Sequence, residues 1–302
     1  MNFGARALIR LGALEHNLQV IRQAAPQARI MAVIKANAYG HGMVTVAQHL
    51  NEVDAFAVAR VQEALTLRSN GIATRVVLLS GAMNTHDAAM ADQHNFEPVV
   101  HSWNQLEILD NYASGRINVW AKFDTGMNRL GFDPADAEDV LDRLRASRGV
   151  GEIRLMTHLS SADELENTVT ARQLEVFEPV VRGFDGDVSI GNTPATLGWP
   201  ETVAAKERFD FKGDYWIRPG VALFGVSPFG DGCGADLGLK PVMRFEARLI
   251  AVKPLKAGAR VGYRGAYVSE RDTTLGIIAA GYGDGYTRHF RTGTPVLING
   301  RR

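Results

Sequence analysis

The chain has 302 residues, of which 46% are hydrophobic and 22% are charged, which excludes a disordered or fibrous protein. Its 33 basic and 33 acidic residues cancel, so it has no basic field that would attract nucleic acid or an anionic membrane. The single cysteine, Cys233, excludes an internal disulfide, and no apolar run reaches the roughly 18 residues of a membrane span. We therefore expect a cytoplasmic protein that acts on a small molecule.

Eight short apolar runs alternate with amphipathic segments from residue 28 onward, a pattern typical of parallel strands joined by helices. Apolar stripes at helical spacing, such as Leu14, Leu18 and Ile21, lie outside these runs. The pattern predicts an α/β fold whose N-terminal domain, residues 1–235, is a (β/α)8 TIM-like barrel. The runs occupy residues 28–35, 54–59, 75–80, 96–100, 117–122, 153–158, 187–191 and 215–218.

From about residue 236 the pattern changes to alternating apolar stretches without helical spacing, at 241–252, 273–282 and 294–300. These stretches predict a mostly β C-terminal domain over residues 236–302. The last stretch ends in Asn299-Gly300, a pair that normally turns the chain into a returning strand. We therefore expect this domain to be incomplete, with weakened stability and catalysis if the polypeptide stops at Arg302.

Four of the eight runs end on a basic residue, namely Lys35, Lys122, His158 and Arg218. The carboxyl ends of the strands of a parallel barrel meet at one mouth, which is where barrel enzymes hold their active sites. A polar residue can also simply mark the end of a strand, and a lone lysine there often extends its amine into water. For any single position, both explanations remain open.

The first lysine lies in Val33-Ile34-Lys35-Ala36-Asn37-Ala38-Tyr39-Gly40-His41-Gly42, and further motifs follow at 121–131, 156–158, 218–223 and 281–286. In sequence, order and approximate spacing they resemble the alanine racemase family over most of the chain. The resemblance implies a pyridoxal phosphate (PLP) enzyme that interconverts L- and D-alanine. It also implies a homodimer that supplies D-alanine for peptidoglycan.

The resemblance further implies a two-base mechanism. Lys35 would hold PLP covalently and act as the base on the D-alanine face, and Tyr267 of the partner subunit would act on the opposite face. Arg129 would bind the substrate carboxylate, because a guanidinium is permanently charged and can bind it in a bidentate way. Lys122 matches a family lysine that is often carbamylated and then pairs with this arginine.

The same resemblance assigns the cofactor contacts. Arg218 would face the pyridine nitrogen, where a permanent cation disfavours ring protonation and favours racemisation over transamination, and His158 would orient it. Thr193 stands where the family usually has serine and keeps the hydroxyl. No metal is expected. The remaining residues expected to bind the cofactor are Tyr39, Asn192, Thr193, Gly220, Val221 and Tyr286.

Two other interpretations stay open. One is a related PLP barrel enzyme, such as a broad-specificity amino acid racemase or a diamino acid decarboxylase, with room for longer side chains. The other is a non-catalytic PLP-binding protein of the same barrel type, which needs neither a second domain nor a second base. The segment 236–302 and Tyr267 argue against the non-catalytic protein.

Overall fold

The computed structural model describes residues 4–112, 115–287 and 289–302. The chain divides into two compact units. One is Arg10–Val242, and the other combines Met243–Arg302 with the N-terminal segment that ends at Ile9 and contains strand β1 (Arg6–Ile9). This division differs from the predicted boundary after residue 235, which had assigned the N-terminal segment to the barrel.

The first unit contains a closed barrel of eight parallel strands, in which the last strand pairs with the first. This confirms the predicted (β/α)8 fold, and each predicted run overlaps one strand, although the strand Val150–Met156 begins three residues before its run and the strand Val188–Asn192 ends one residue after its run. Three runs extend two residues past the ends of their strands, at Lys35, Ser80 and His158. The strands are β2 (Arg29–Val33), β3 (Ala55–Val58), β4 (Arg75–Leu78), β5 (Phe96–Val100), β6 (Ile117–Lys122), β7 (Val150–Met156), β8 (Val188–Asn192) and β9 (Tyr215–Arg218).

Helices follow the strands and cover the barrel. In α1 (Leu11–Ala24) the predicted stripe of Leu14, Leu18 and Ile21 is buried, which explains why this segment packs as a helix. The remaining helical segments are α2 (Lys35–Tyr39), α3 (Met43–His49), α4 (Val61–Ser69), α5 (Thr85–His94), α6 (Trp103–Asn111), α7 (Ala137–Ala146), α8 (Val169–Val181), α9 (Thr193–Gly198), α10 (Pro200–Val203) and α11 (Ala205–Phe209). No helix in the described ranges has both the length and the hydrophobicity needed to cross a bilayer.

Apolar side chains fill the centre of the barrel, and a buried ionic network lies towards its amino end. Arg154 lies 3.4 Å from Glu97 and 3.3 Å from Asp187, so its positive charge faces two carboxylates. The indole of Trp120 donates to Glu97 at 2.9 Å and that of Trp216 donates to Asp187 at 2.9 Å. These bonds tie the interior aromatic layer to the network.

The second unit is built from antiparallel pairs, which confirms a mostly β C-terminal domain. β1 pairs with β10 (Met243–Glu246), β11 (Leu249–Leu255) with β14 (Thr273–Ile278), and β12 (Arg260–Val261) with β13 (Tyr267–Val268).

The predicted strand at 294–300 is not formed. Of the described residues there, only Ile298 pairs with Arg301, across a turn in which Asn299 and Gly300 have φ of 51° and 78°. Two positive φ values are typical of a type I′ hairpin turn, so the turn was predicted correctly and the strand was not.

Candidate active site

A cluster of basic residues occupies the carboxyl mouth of the barrel. Lys122 and Arg218 end their strands, and Lys35 follows β2. The pKa of Lys122 is lowered to about 8, mainly by burial and then by the positive charges of Arg218, Arg129 and Lys35, although Asp124 opposes them. These effects show that Lys35, Lys122, Arg129 and Arg218 lie close enough to act on one another's charges.

Arg218 is only 4% exposed and is held entirely by neutral acceptors. Its guanidinium donates to Ser189 Oγ at 2.5 Å, to the Thr157 carbonyl at 2.6 Å and to the Ile190 carbonyl at 3.2 Å. Among the described residues no carboxylate lies within ion-pair distance of it. Burial lowers the pKa of Arg218 to about 10, so it remains charged at neutral pH.

His158 contacts Arg218 as the sequence predicts, with Nδ1 lying 3.3 Å from the guanidinium. A guanidinium can only donate, so Nδ1 must accept and the neutral ring carries its proton on Nε2. The pKa of His158 lies well below its ordinary value because of burial and then the charges of Arg218, Lys122, Arg129 and Lys35. His158 is therefore a neutral acceptor that fixes the arginine.

Lys35 begins α2, whose backbone is left-handed. Ala36, Asn37, Ala38 and Tyr39 have φ of 53° or 54°, a conformation that costs about 1–2 kcal/mol for each residue with a side chain. The Ala38 amide donates to the Ile34 carbonyl at 2.8 Å, and Asn37 Oδ1 accepts from the Met43 amide at 2.8 Å. This turn carries both the predicted covalent lysine and the predicted phosphate-binding Tyr39.

Glu63 also holds this turn, and the sequence reasoning missed it. Its Oε1 accepts the Ala36 amide at 2.7 Å, and its Oε2 accepts the amides of Ala59 at 2.8 Å and Arg60 at 3.1 Å. The available signal was its place three residues after Arg60, the spacing at which a glutamate reaches back to the start of a helix. Glu63 therefore connects the Lys35–Ala36 peptide to the neighbouring strand end.

Tyr39, Thr193 and Gly220 form what we call the hydroxyl cluster. The Gly220 amide donates to Thr193 Oγ1 at 2.9 Å, and a side chain on Gly220 would meet the Tyr39 hydroxyl at 2.8 Å. Burial raises the pKa of Tyr39, so its hydroxyl stays protonated. Two hydroxyls thus lie beside a backbone position that only glycine leaves open, an arrangement suited to an anion.

The other two predicted phosphate-binding residues of the barrel lie next to this cluster. The Asn192 side chain donates to the Leu159 carbonyl at 3.0 Å and accepts from the Ala195 amide at 3.2 Å, so both of its polar atoms are already bonded. Val221 begins a short 3-10 turn directly after Gly220.

A tight loop brings Arg129 back towards Lys122. Asp124 accepts the amides of Gly126 and Asn128 at 3.0 Å and that of Arg129 at 2.8 Å. Burial acts to raise the pKa of Asp124, but these amide bonds lower it overall, so the carboxylate is ionised. Arg129 is exposed at the mouth, where it can meet a substrate.

A buried polar chain behind His158 and Arg218 was also missed. Thr157, whose carbonyl holds Arg218, has its hydroxyl 2.9 Å from that of Thr125. Gln173 on α8 donates to the carbonyl of His158 at 3.2 Å. A threonine next to a strand and a glutamine in a helix give no sequence signal for this role.

The two remaining predicted site residues belong to the second unit. Tyr267, in β13, is 41% exposed and lies opposite Val261. The ring of Tyr286 packs against Phe245 at 5.8 Å and Phe290 at 4.6 Å between centroids.

Comparisons with known proteins agree on one family. Residues 9–228 match the alanine racemase N-terminal domain, and residues 242–302 match the alanine racemase C-terminal domain. An alanine racemase of Vibrio vulnificus (strain CMCP6) is 44% identical over 300 residues, which cover 99% of this chain and 81% of the relative. One from Yersinia pestis is 47% identical over 299 residues, covering 98% of this chain and 80% of the relative.

Solved structures give the same result. The biosynthetic alanine racemase of Pseudomonas aeruginosa superimposes with a TM-score of 0.92 at 38% identity, covering 100% of this chain and 82% of that one. The Bartonella henselae alanine racemase with covalently bound pyridoxal phosphate gives 0.78 at 27% identity, covering 94% of this chain and 77% of that one. The matched domains, the relatives and the barrel with its basic mouth together establish that this chain belongs to the alanine racemase family.

Proposed function

We propose that this protein interconverts L- and D-alanine with PLP bound at the carboxyl mouth of the barrel, in a reducing cytoplasm consistent with its single cysteine. The observation that carries the proposal is the set of cations there, above all Lys122 and Arg218, with no carboxylate within ion-pair distance among the described residues. Buried cations require anionic or polar partners, and the ring nitrogen of the cofactor and the carboxylate of the substrate supply them.

The residues present fit PLP by their chemistry. The amine of Lys35 suits its aldehyde, the hydroxyl cluster suits its phosphate, and the charged Arg218 suits its ring nitrogen. Gly220 supports the fit, since any side chain there would fill the space next to the Tyr39 hydroxyl. When bound, the cofactor supplies an electron sink for the pair left at Cα after a proton is removed.

Four side chains are proposed to have separate roles in proton transfer and in holding the cofactor. Lys35 Nζ takes or returns the α-proton on one face of the substrate. Arg218 stays positively charged because its pKa, about 10, is well above neutral pH, and for the same reason it does not give its proton to a ring nitrogen. His158 holds that guanidinium through Nδ1. Tyr267 of the partner subunit is proposed as the base on the opposite face, in a homodimer.

Arg129 and Lys122 are proposed to bind the substrate carboxylate. The pKa of Lys122, about 8, leaves a useful fraction of neutral amine at physiological pH, and a neutral amine is the form that reacts with carbon dioxide. The resulting carbamate would be an anion among the charges of Arg218, Arg129 and Lys35, which now lower the pKa of Lys122. It would thereby offset the repulsion and orient Arg129.

The experiment is an oxidase-coupled assay of D-alanine formed from L-alanine and PLP. The native chain is compared with Lys35→Ala and with Lys212→Ala, an exposed lysine 3.7 Å from Asp185 that serves as the matched control. Activity that Lys35→Ala abolishes and Lys212→Ala retains would support the proposal. Lysine turnover or carbon dioxide release would favour a related enzyme, and covalent PLP without turnover would favour a binding protein.

A further inference from the structure

Strand β8 contains an extra residue immediately before the hydroxyl cluster. Against β9 its register runs Val188 with Tyr215 and Ser189 with Trp216, and then shifts so that Asn192 pairs with Arg218. Three steps along β8 therefore oppose two along β9, which defines a bulge at Ile190 and Gly191. Because side chains alternate between the faces of a strand, a one-residue shift changes the face on which every later side chain lies.

Side chains of β9 satisfy the backbone groups of this bulge. The Gly191 amide donates to the Tyr215 hydroxyl at 3.1 Å instead of to a strand neighbour, and the Ile190 carbonyl accepts from the Arg218 guanidinium at 3.2 Å. Tyr215 is buried, and burial raises the pKa of its hydroxyl, which therefore stays protonated. Removing that hydroxyl would leave a buried amide without a partner, which favours closing the bulge into regular pairing.

Closing the bulge would move the phosphate-facing residues but not the lysine. Asn192 and Thr193 directly follow the bulge, and in the shifted register Thr193 Oγ1 accepts from the Gly220 amide. Lys35 lies on the far side of β9, after β2. The hydroxyl of Tyr215 thus acts on one part of the proposed site and leaves the covalent anchor in place.

We propose that Tyr215 is a positioning residue for the phosphate group of the cofactor: its hydroxyl holds the β8 bulge open and so keeps Thr193 in the hydroxyl cluster. The proposal rests on the proposed PLP function. It assigns Tyr215 no contact with cofactor or substrate.

The test compares two aldehydes that differ only in the phosphate. Apoprotein is titrated with PLP and, separately, with pyridoxal, the adduct is fixed by borohydride reduction, and labelling of Lys35 is measured by mass spectrometry. Tyr215→Phe should raise the half-saturating concentration of PLP by about tenfold, the size expected when one buried hydrogen-bond partner is lost, and leave that of pyridoxal nearly unchanged. The matched control is Tyr112→Phe, which removes a hydroxyl bonded to Asp92 at 2.8 Å elsewhere in the unit.

A second variant guards against misfolding of the first. Gly191→Ala keeps the tyrosine, but its new methyl group would lie 2.9 Å from the Tyr215 hydroxyl and force it away from the amide. The same phosphate-selective loss is expected. An equal loss for PLP and pyridoxal, or no loss for either, would overturn the positioning role while leaving the proposed function intact. If the native chain were not labelled at Lys35 by either aldehyde, both proposals would fail.

Discussion

Replacing Lys122 with methionine should stabilise the apoprotein, because the fold currently buries a charge there. The pKa of Lys122 is about 8 in the fold, against an ordinary value of 10.5. At about 1.4 kcal/mol for each pKa unit, the protonated amine costs at most about 3–4 kcal/mol of folding free energy. Methionine has a similar length and no charge, so Lys122→Met should recover much of this cost.

The pH dependence follows from the sign of the shift. The cost is fully present below about pH 8, where the amine is charged in both the folded and unfolded chains, and fades as the pH rises towards 10.5. Urea unfolding in carbon dioxide-free buffer should therefore show a large advantage of Lys122→Met near neutral pH and a smaller one at about pH 9.5. A variant less stable than the native chain at neutral pH, or an advantage independent of pH, would refute the reasoning.

Bicarbonate separates the free amine from the carbamate proposed for Lys122. A ligand that binds only the folded state raises its stability, and carbon dioxide taken up by Lys122 is such a ligand. Bicarbonate should therefore stabilise the native chain and leave Lys122→Met unchanged. The control is Lys212→Met at an exposed lysine, which should respond as the native chain does. Equal responses of the native chain and Lys122→Met would contradict carbamylation.

Three further outcomes are expected. Because the pKa of His158 is depressed, its protonation in the unfolded chain below about pH 6.5 should cost stability, so His158→Gln should flatten the acid side of the stability profile in urea melts. Arg154→Met should lower the free energy of unfolding by about 1–3 kcal/mol, because it removes one charged partner from the buried Glu97 and the part-buried Asp187, which keep Arg75 and the Trp216 indole, whereas the exposed Arg145→Met should change it by less than about 1 kcal/mol. Glu63→Ala should speed hydrogen exchange of the Ala36 amide, and unchanged exchange would contradict its role in holding the turn.

The barrel could be predicted from sequence because its signals are local. Most strands are short apolar runs, such as Arg75–Leu78, and each predicted run overlaps its strand. β1 was missed because its partner, Met243–Glu246, is more than two hundred residues away and four residues give little periodicity. Pairing between strands so far apart in sequence depends on how the whole chain folds, so no local sequence pattern predicts it.

The sequence predicted the site residues that belong to a recognisable motif. It did not predict the features of the site that depend on backbone conformation. The motif located Lys35, but nothing in Ala-Asn-Ala-Tyr predicts a left-handed turn, since none of these residues is glycine. Nor does the sequence show the bulge in β8, which becomes visible only through its register with β9. The role assigned to Tyr267 remains a prediction, because it requires a second chain.

Within the described ranges, buried cations are paired with carboxylates at the amino end of the barrel and are not paired with carboxylates at its carboxyl mouth. This difference indicates that the ligand site is at the mouth. Towards the amino end, Arg154 lies among carboxylates that include Glu97 and Asp187, so the network is complete within the chain. At the carboxyl mouth, Arg218 and Lys122 have depressed pKa values and no carboxylate within ion-pair distance among the described residues. A buried cation without an anion is destabilising, so the mouth is the part of the fold that an anionic ligand stabilises most. The unfolding temperature should therefore rise with PLP, and rise less with pyridoxal, which offers the same aldehyde without the phosphate charge.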